Sequence, residues 1–275
     1  MAIYKVAFQG ERGAFSEVAA SLLIKGEIKA VPCISFDELF DKVEKRSANF
    51  GVIPIENSLI GSIHRNYDLL LERNLKVIGE TQLRIIHSLI TSPKTTFAKI
   101  KKVYSHPAAL DQCRKFFAKH KNIEPISYYD TAGAVKKLAE SDLTDSAAIA
   151  SPFAAELYNM KRIRKSIEDE KSNFTRFLLL GRKPINISDN IKTSVVFSLK
   201  NLPGALFKAL SVFALRDIDL TKIESRPARK YGWKYYFYVD FIGSQKEDHI
   251  KNALNHLREI THFQKILGSY PSNII

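Results

Sequence analysis

Tyr4-Lys5-Val6-Ala7-Phe8 runs into Gly10-Glu11-Arg12-Gly13-Ala14-Phe15-Ser16, and the chain then continues to Lys25 as an amphipathic stretch. An apolar run, a loop of glycine and small residues, and a helical pattern in direct succession read as strand, turn and helix. The same succession recurs as far as residue 180. Residues 50–53, 75–86, 103–104, 123–128, 147–150 and 174–180 read as further strands, and residues 15–25, 36–45, 64–72, 107–119, 132–140 and 152–158 as helices. This alternation predicts parallel sheet covered by helices. Two such sheets joined by crossovers would form two lobes with a cleft, where open α/β folds place their ligands.

Outward from this region the pattern changes. Gly181-Arg182-Lys183-Pro184-Ile185-Asn186-Ile187-Ser188-Asp189-Asn190 is polar and has little to bury, so it reads as a linker. Beyond it, Val195, Phe197 and Leu199 alternate with polar neighbours as in a half-buried strand. Pro203-Gly204 opens a helix with Leu206, Leu210 and Phe213 on one face, residues 218–225 read as a strand, and Tyr235, Phe237, Val239 and Phe241 alternate along another. Ile250, Leu254 and Leu257 mark a second helix and residues 263–270 a closing strand. The order βαββαβ predicts a ferredoxin-like sandwich. The expected division is 1–182 for the two-lobed domain, 183–191 for the linker and 192–275 for the second domain.

Composition narrows the function classes. No apolar run approaches the roughly 20 residues of a membrane helix. Cys33 and Cys113 are too few for a disulfide framework and read as small core residues. The chain opens directly into its first strand with no leader pattern, and the expectation is a cytoplasmic protein. The net charge of +13 divides into +7 before residue 192 and +6 from there on, so no single basic domain stands out. The densest run, Lys161-Arg162-Ile163-Arg164-Lys165, lacks interleaved aromatics and reads as a solvated face rather than a nucleic-acid site. A basic field also draws in an anionic metabolite. The seven histidines show no HExxH spacing, there is no CxxC, and no Gly-x-Ser-x-Gly elbow occurs, so neither a metal, another cofactor nor a serine hydrolase is expected.

Several loops place small or hydroxyl residues just before a helix: Gly10 to Ser16, Pro54-Ile55-Glu56-Asn57-Ser58 with Gly61-Ser62, Ser105-His106-Pro107, and Asp130-Thr131-Ala132-Gly133-Ala134. Helix starts bind anions through free N–H groups and the helix dipole. Equally, Ser105, Asp130 and Thr131 are ordinary caps. His106 reads either as a general base or as a polar helix-start residue. In Asn173-Phe174-Thr175-Arg176-Phe177, strand alternation puts Thr175 and Phe177 on one face and Arg176 on the other.

These segments, taken together, resemble the prephenate dehydratases. Thr175-Arg176-Phe177 looks like their Thr-Arg-Phe signature, and Gly13-Ala14-Phe15-Ser16-Glu17 resembles their Gly-Ala-Tyr-Ser-Glu loop. Pro54 to Ser58, Ser105 to Pro107, Thr131 to Ala134 and Ala147-Ala148-Ile149-Ala150-Ser151 correspond as well. In the second region Gly204-Ala205-Leu206-Phe207 and Glu224-Ser225-Arg226-Pro227 are similar to the two effector motifs of the family's ACT domain. The run from Asn57 to Leu71, and Leu267-Gly268-Ser269-Tyr270-Pro271, are especially close to plant arogenate dehydratases. Arg12 departs from the proline that many members carry there.

The resemblance implies a catalytic domain like the type II periplasmic-binding proteins, followed by an ACT domain. The implied reaction is the loss of water and carbon dioxide from prephenate to give phenylpyruvate, with feedback inhibition by L-phenylalanine. Direct formation of L-phenylalanine from arogenate, or anion binding without turnover, are the alternatives. The implied catalytic residues are Thr175, with Glu56 as the rival acid, and Arg176, which either pairs with a substrate carboxylate or supports the strand from its far face. Asn57, Ser58, Ser105, His106, Thr131 and Phe177 would contact substrate. Asn201, Gly204, Ala205 and Leu206, facing Glu224, Ser225 and Arg226, would hold L-phenylalanine where two ACT domains pair. A homotetramer, as a dimer of dimers, is implied.

Overall fold

A computed structural model describes residues 2–141, 143–184, 190–228 and 235–272. In chain order the elements are β1 (Ile3–Gln9), α1 (Phe15–Leu23), β2 (Glu27–Cys33), α2 (Phe36–Glu44), β3 (Phe50–Asn57), β4 (Gly61–Ser62), α3 (His64–Glu72), β5 (Lys76–Arg84), β6 (Ser88–Thr91), β7 (Lys102–Ser105), α4 (Pro107–Asp111) and α5 (Arg114–Lys119). They continue with β8 (Glu124–Ser127), α6 (Thr131–Ala139), β9 (Ser146–Ala150), α7 (Pro152–Leu157), β10 (Lys161–Arg164), β11 (Phe174–Gly181), β12 (Ile191–Leu199), α8 (Ala205–Ala214), β13 (Leu220–Pro227), β14 (Tyr235–Ile242), α9 (Asp248–Ile260) and β15 (Thr261–Pro271). Two compact units result. The first takes in the chain up to Asn66 and Thr81–Phe177; the second takes in Tyr67–Glu80 and the chain from Leu178 onward.

Two sheets have most of their residues in the first unit. One follows the order β2-β1-β3-β11-β5, with β4 beside β3, and the other β10-β6-β9-β7-β8. β1 runs parallel to β2 and β3, and β7 parallel to β8 and β9, as crossover helices require. β6 and β10 are antiparallel additions. Phe8 and Ala14 of the first sheet's lobe share a buried cluster with Ala132, Val135 and Leu138 of α6 and Ala154 of α7. Leu89, Val103, Ala147 and Ile149 pack with Cys113 and Phe116 in a second cluster. Both cysteines are free and buried.

Four strands of this unit were not expected: β4, a two-residue pairing of Gly61 and Ser62 with β3, and β2, β6 and β10. β2 carries Pro32 and sits at a sheet edge, where a missing ladder donor is tolerated. β6 is a short run of four fully buried residues without alternation. β10 is the basic run itself: it pairs with β6 at an edge, and Arg164 lies 4.4 Å from the Phe97 ring centre. The single helix expected over 107–119 is broken between α4 and α5, where Gln112 caps α4 and the backbone of Cys113 leaves the helical path. The apolar face runs on through the break, so periodicity could not reveal it. What interrupts the helix is tertiary: the Gln112 carbonyl accepts from Asp169 N–H at 2.7 Å.

In the second unit, the antiparallel order β13-β14-β12-β15 and the sequence βαββαβ give the ferredoxin-like sandwich. Val195, Phe197, Val239 and Phe241 point to one face and bury against Val212 and Phe213 of α8 and Ile250, Leu254 and Leu257 of α9. The other face meets the Tyr67–Glu80 segment. Tyr238 OH donates to Tyr67 O at 2.9 Å, and Lys265 Nζ donates to Leu70 O, Leu71 O and Arg73 O at the end of α3. Lys192 Nζ and Glu80 Oε1 form a buried pair at 2.6 Å. A Cβ on Gly268 would collide with the Val77 carbonyl oxygen, so only glycine allows this approach. These contacts explain why the unit boundaries fall at residues 66, 80 and 177 and not at the expected linker, of which 185–189 lie outside the described residues.

Candidate active site

β1 and β3 end beside the point where β11 begins, and the loops and helix starts around these strand ends border a cavity of about 250 Å³ within the first unit. Asn57, Thr175 and Phe177 line it from the strands, and Gly10, Phe15 and Ser16 from the first loop and α1. His106, Ala108, Ala109 and Gln112 enter from α4 and its break, and Asp130 and Thr131 from the start of α6. Ile60, Ile63 and Ile85 supply apolar wall.

Strand alternation decides which signature residues reach this space. On β11, Thr175 and Phe177 are buried and face the cavity, while half-buried Arg176 points away from it. On β3, Asn57 faces the cavity, and half-buried Glu56, paired in register with Ser62, does not line it. Ser105 is fully buried at the end of β7, and its Oγ donates to Ile149 O at 2.6 Å. Ser58 holds β11 instead: its Oγ donates to Ser172 O and accepts from Phe174 N, both at 2.9 Å. Thus Asn57, His106, Thr131, Thr175 and Phe177 converge, and Glu56, Ser58, Ser105 and Arg176 stand outside the lining.

A chain of amides backs one wall. Asn57 Nδ2 donates to Thr175 Oγ1 at 2.9 Å and to Asn173 Oδ1 at 2.7 Å. Asn173 Nδ2 lies 2.9 Å from Gln112 Oε1, which also meets His87 Nε2 at 2.8 Å. Gln112 and His87 carried no signal in the sequence beyond their polarity, and Asn173 only its place in the Thr175 segment. Asn173 adjoins the Thr175 segment, whereas Gln112 and His87 arrive from 61 and 86 residues away.

Electrostatics favour neutral groups here. Burial holds the pKa of His87 and of His106 below the usual histidine range. Burial raises that of Asp130, against the Gly133 and Glu11 N–H groups that donate to its carboxylate. None of the lining residues is lysine or arginine. α1 opens at Ala14 with no side-chain cap, whereas Asp130 caps α6. Among the described residues no group of three His, Cys, Asp or Glu is arranged to hold a metal ion, and no helix is long and apolar enough to cross a membrane.

The expected effector residues lie in the second unit. Asn201, Gly204 and Leu206 are exposed at the start of α8, with Ala205 half-buried, and Gly204 takes the left-handed φ of +74° that favours glycine. On the edge strand β13, Glu224 and Arg226 share one face and exposed Ser225 takes the other. Arg226 lies 3.6 Å from Asp68 of α3. The three do not form one wall, because a strand turns successive residues to opposite sides.

Comparison with known proteins gives the same picture. The prephenate dehydratase family model matches residues 6–185 and the ACT domain model residues 193–259. Arogenate dehydratase/prephenate dehydratase 2, chloroplastic, of Arabidopsis thaliana is 48% identical, over 97% of this chain and 72% of its own. A prephenate dehydratase of Arthrobacter aurescens, solved in complex with L-Phe, superposes with a TM-score of 0.89 at 30% identity, over 98% of this chain and 90% of its own. GqqA, described as a novel type of quorum quenching acylase, matches with a TM-score of 0.89 at 31% identity, over 98% of both chains. The chain belongs to the prephenate dehydratase family, with a catalytic region followed by an ACT domain.

Proposed function

We propose that the cavity beside Thr175 carries out the decarboxylating dehydration of prephenate to phenylpyruvate. The ring carboxylate leaves as CO₂, its bonding electron pair makes the ring aromatic, and the para hydroxyl departs. Expelling hydroxide is the costly event, and a hydrogen bond to the departing oxygen typically supplies about 10² to 10⁴-fold. The observation that carries the reading is the Asn57 amide donating to Thr175 Oγ1, which leaves the threonine's own proton free for a ligand in the cavity. Glu56 and Arg176, turned away from the lining, support β3 and β11 in this reading and do not act on substrate.

Two carboxylates would be held without a formal cation. The uncapped start of α1, the Thr131 hydroxyl and the Gln112 amide offer N–H and O–H donors, and donors of this kind gain strength where water is excluded. An acylase reading needs a base beside the nucleophile. The partner of Thr175 is an amide that donates and cannot take its proton.

In the second unit, L-phenylalanine binding between paired ACT domains fits the exposed positions of Asn201, Gly204, Leu206 and Ser225. Leu202 and Phe207, 62% and 76% exposed, and the open edge of β13 are the surface such pairing would cover, within a dimer of dimers. The deciding experiment incubates purified protein with prephenate and with arogenate and measures phenylpyruvate and phenylalanine separately, with and without added L-phenylalanine. Ligand binding without either product would overturn the catalytic reading.

A further inference from the structure

We propose that Asn173 is the positioning residue of the cavity, fixing the Gln112 amide so that its NH₂ group faces the substrate carboxylates. This rests on the cavity being the reaction site. The direction of every bond in the amide chain follows from one end. Asn57 Oδ1 accepts from Leu59 N and Ile60 N, both at 3.0 Å, so its NH₂ must face β11. There it donates to Asn173 Oδ1 and Thr175 Oγ1. With its oxygen committed, Asn173 turns Nδ2 to Gln112 Oε1. Reversing Asn173 would set its NH₂ against the NH₂ of Asn57, so its orientation follows from the anchored Asn57 amide.

Gln112 Oε1 can only accept, which requires His87 to carry its proton on Nε2. The remaining His87 atom agrees: Nδ1 is buried without a hydrogen-bond partner, as an unprotonated nitrogen in an apolar wall would be. Two donors thus converge on one oxygen of Gln112. They leave its NH₂ as the group presented to the cavity that Gln112 lines. Sequence position gives no hint of this, since the members come from β3, the residue before β6, the break after α4 and the residue before β11.

The test is Asn173→Asp, which keeps the shape and the acceptor for Asn57 but removes the donor to Gln112. Gln112 must then turn its NH₂ toward the new carboxylate and its oxygen toward the substrate. At about pH 8 the variant is expected to show a KM for prephenate raised about tenfold, with a smaller change in kcat. As pH falls, the carboxyl gains a proton and can donate again, so the ratio of variant to wild-type kcat/KM recovers. An unchanged KM, or a loss that is the same at every pH, overturns the proposal. Should the variant not fold, the wild-type enzyme decides: ¹⁵N NMR of His87 near neutral pH must show the Nε2–H tautomer, and a proton on Nδ1 sinks the idea. Failure here with Thr175→Ala inactive refutes Asn173 alone; an active Thr175→Ala refutes the reaction site.

Discussion

The two units use their polar residues in opposite ways. In the first, side chains from β3, β11 and the loops around them turn inward and line one cavity. In the second, the polar groups that are buried brace the fold, as Lys192 with Glu80 and Ser194 with Asp240 and Tyr270 do, while the effector motifs stay largely on the surface. A catalytic site must exclude water from the reacting bond. The ACT-domain motif residues are instead largely exposed. The difference teaches that a family signature marks a location and not a mode of use.

The largest effect expected from testing this contrast lies in the second unit. Lys192→Met takes the cation from beside the buried Glu80 carboxylate, which keeps the Ser272 hydroxyl, and about 3–5 kcal/mol of stability should be lost. Denaturant unfolding measures it, and a loss below about 1 kcal/mol would mean that water reaches the pair. Next comes Thr175→Ala in the first unit, with kcat lowered about 10²-fold or more and thermal unfolding nearly unchanged. Ser105→Ala separates a signature residue from the chemistry. It removes the bond to Ile149 O and should cost about 1–3 kcal/mol of stability while leaving KM within about twofold. Gly204→Ala meets no neighbour within 4 Å, so its cost is the left-handed φ alone, about 1 kcal/mol. It should weaken inhibition by L-phenylalanine and spare turnover in its absence.

The smallest effect is one of pH. His87 has a folded pKa below its unfolded value because burial disfavours the charged ring. Below about pH 6.5 the unfolded chain therefore binds the extra proton first. The neutral ring's contribution is fully present above that pH and fades as pH falls toward the folded value, with a slope of at most about 1.4 kcal/mol per pH unit. His87→Gln should flatten the acid side of a Tm-against-pH curve. An unchanged curve would show that His87 is not the group responsible.

Much of this architecture was legible before folding. Alternating apolar runs and helical stretches placed most strands and all but one helix within a few residues, because burial of one face imposes its period on the chain. The misses have physical causes. β2 and β10 are edge strands, where one side faces solvent and polar or proline residues are tolerated. The helix break at Gln112 is imposed by a bond to Asp169 that no local pattern encodes.

The sequence by itself determined the strand–helix order, the two-region plan and the family, since these depend on local period and on motifs read along the chain. It also settled that Thr175 and Phe177 share a face that Arg176 does not. Only the tertiary structure decided which motif residues line the cavity. It spent Ser58 and Ser105 on backbone bonds, and it brought His87, Gln112 and Asn173 to stand behind Thr175. The reason is that a hydrogen bond needs its partners within about 3 Å, and residues far apart in the chain reach that distance only when the sheets that carry them have packed.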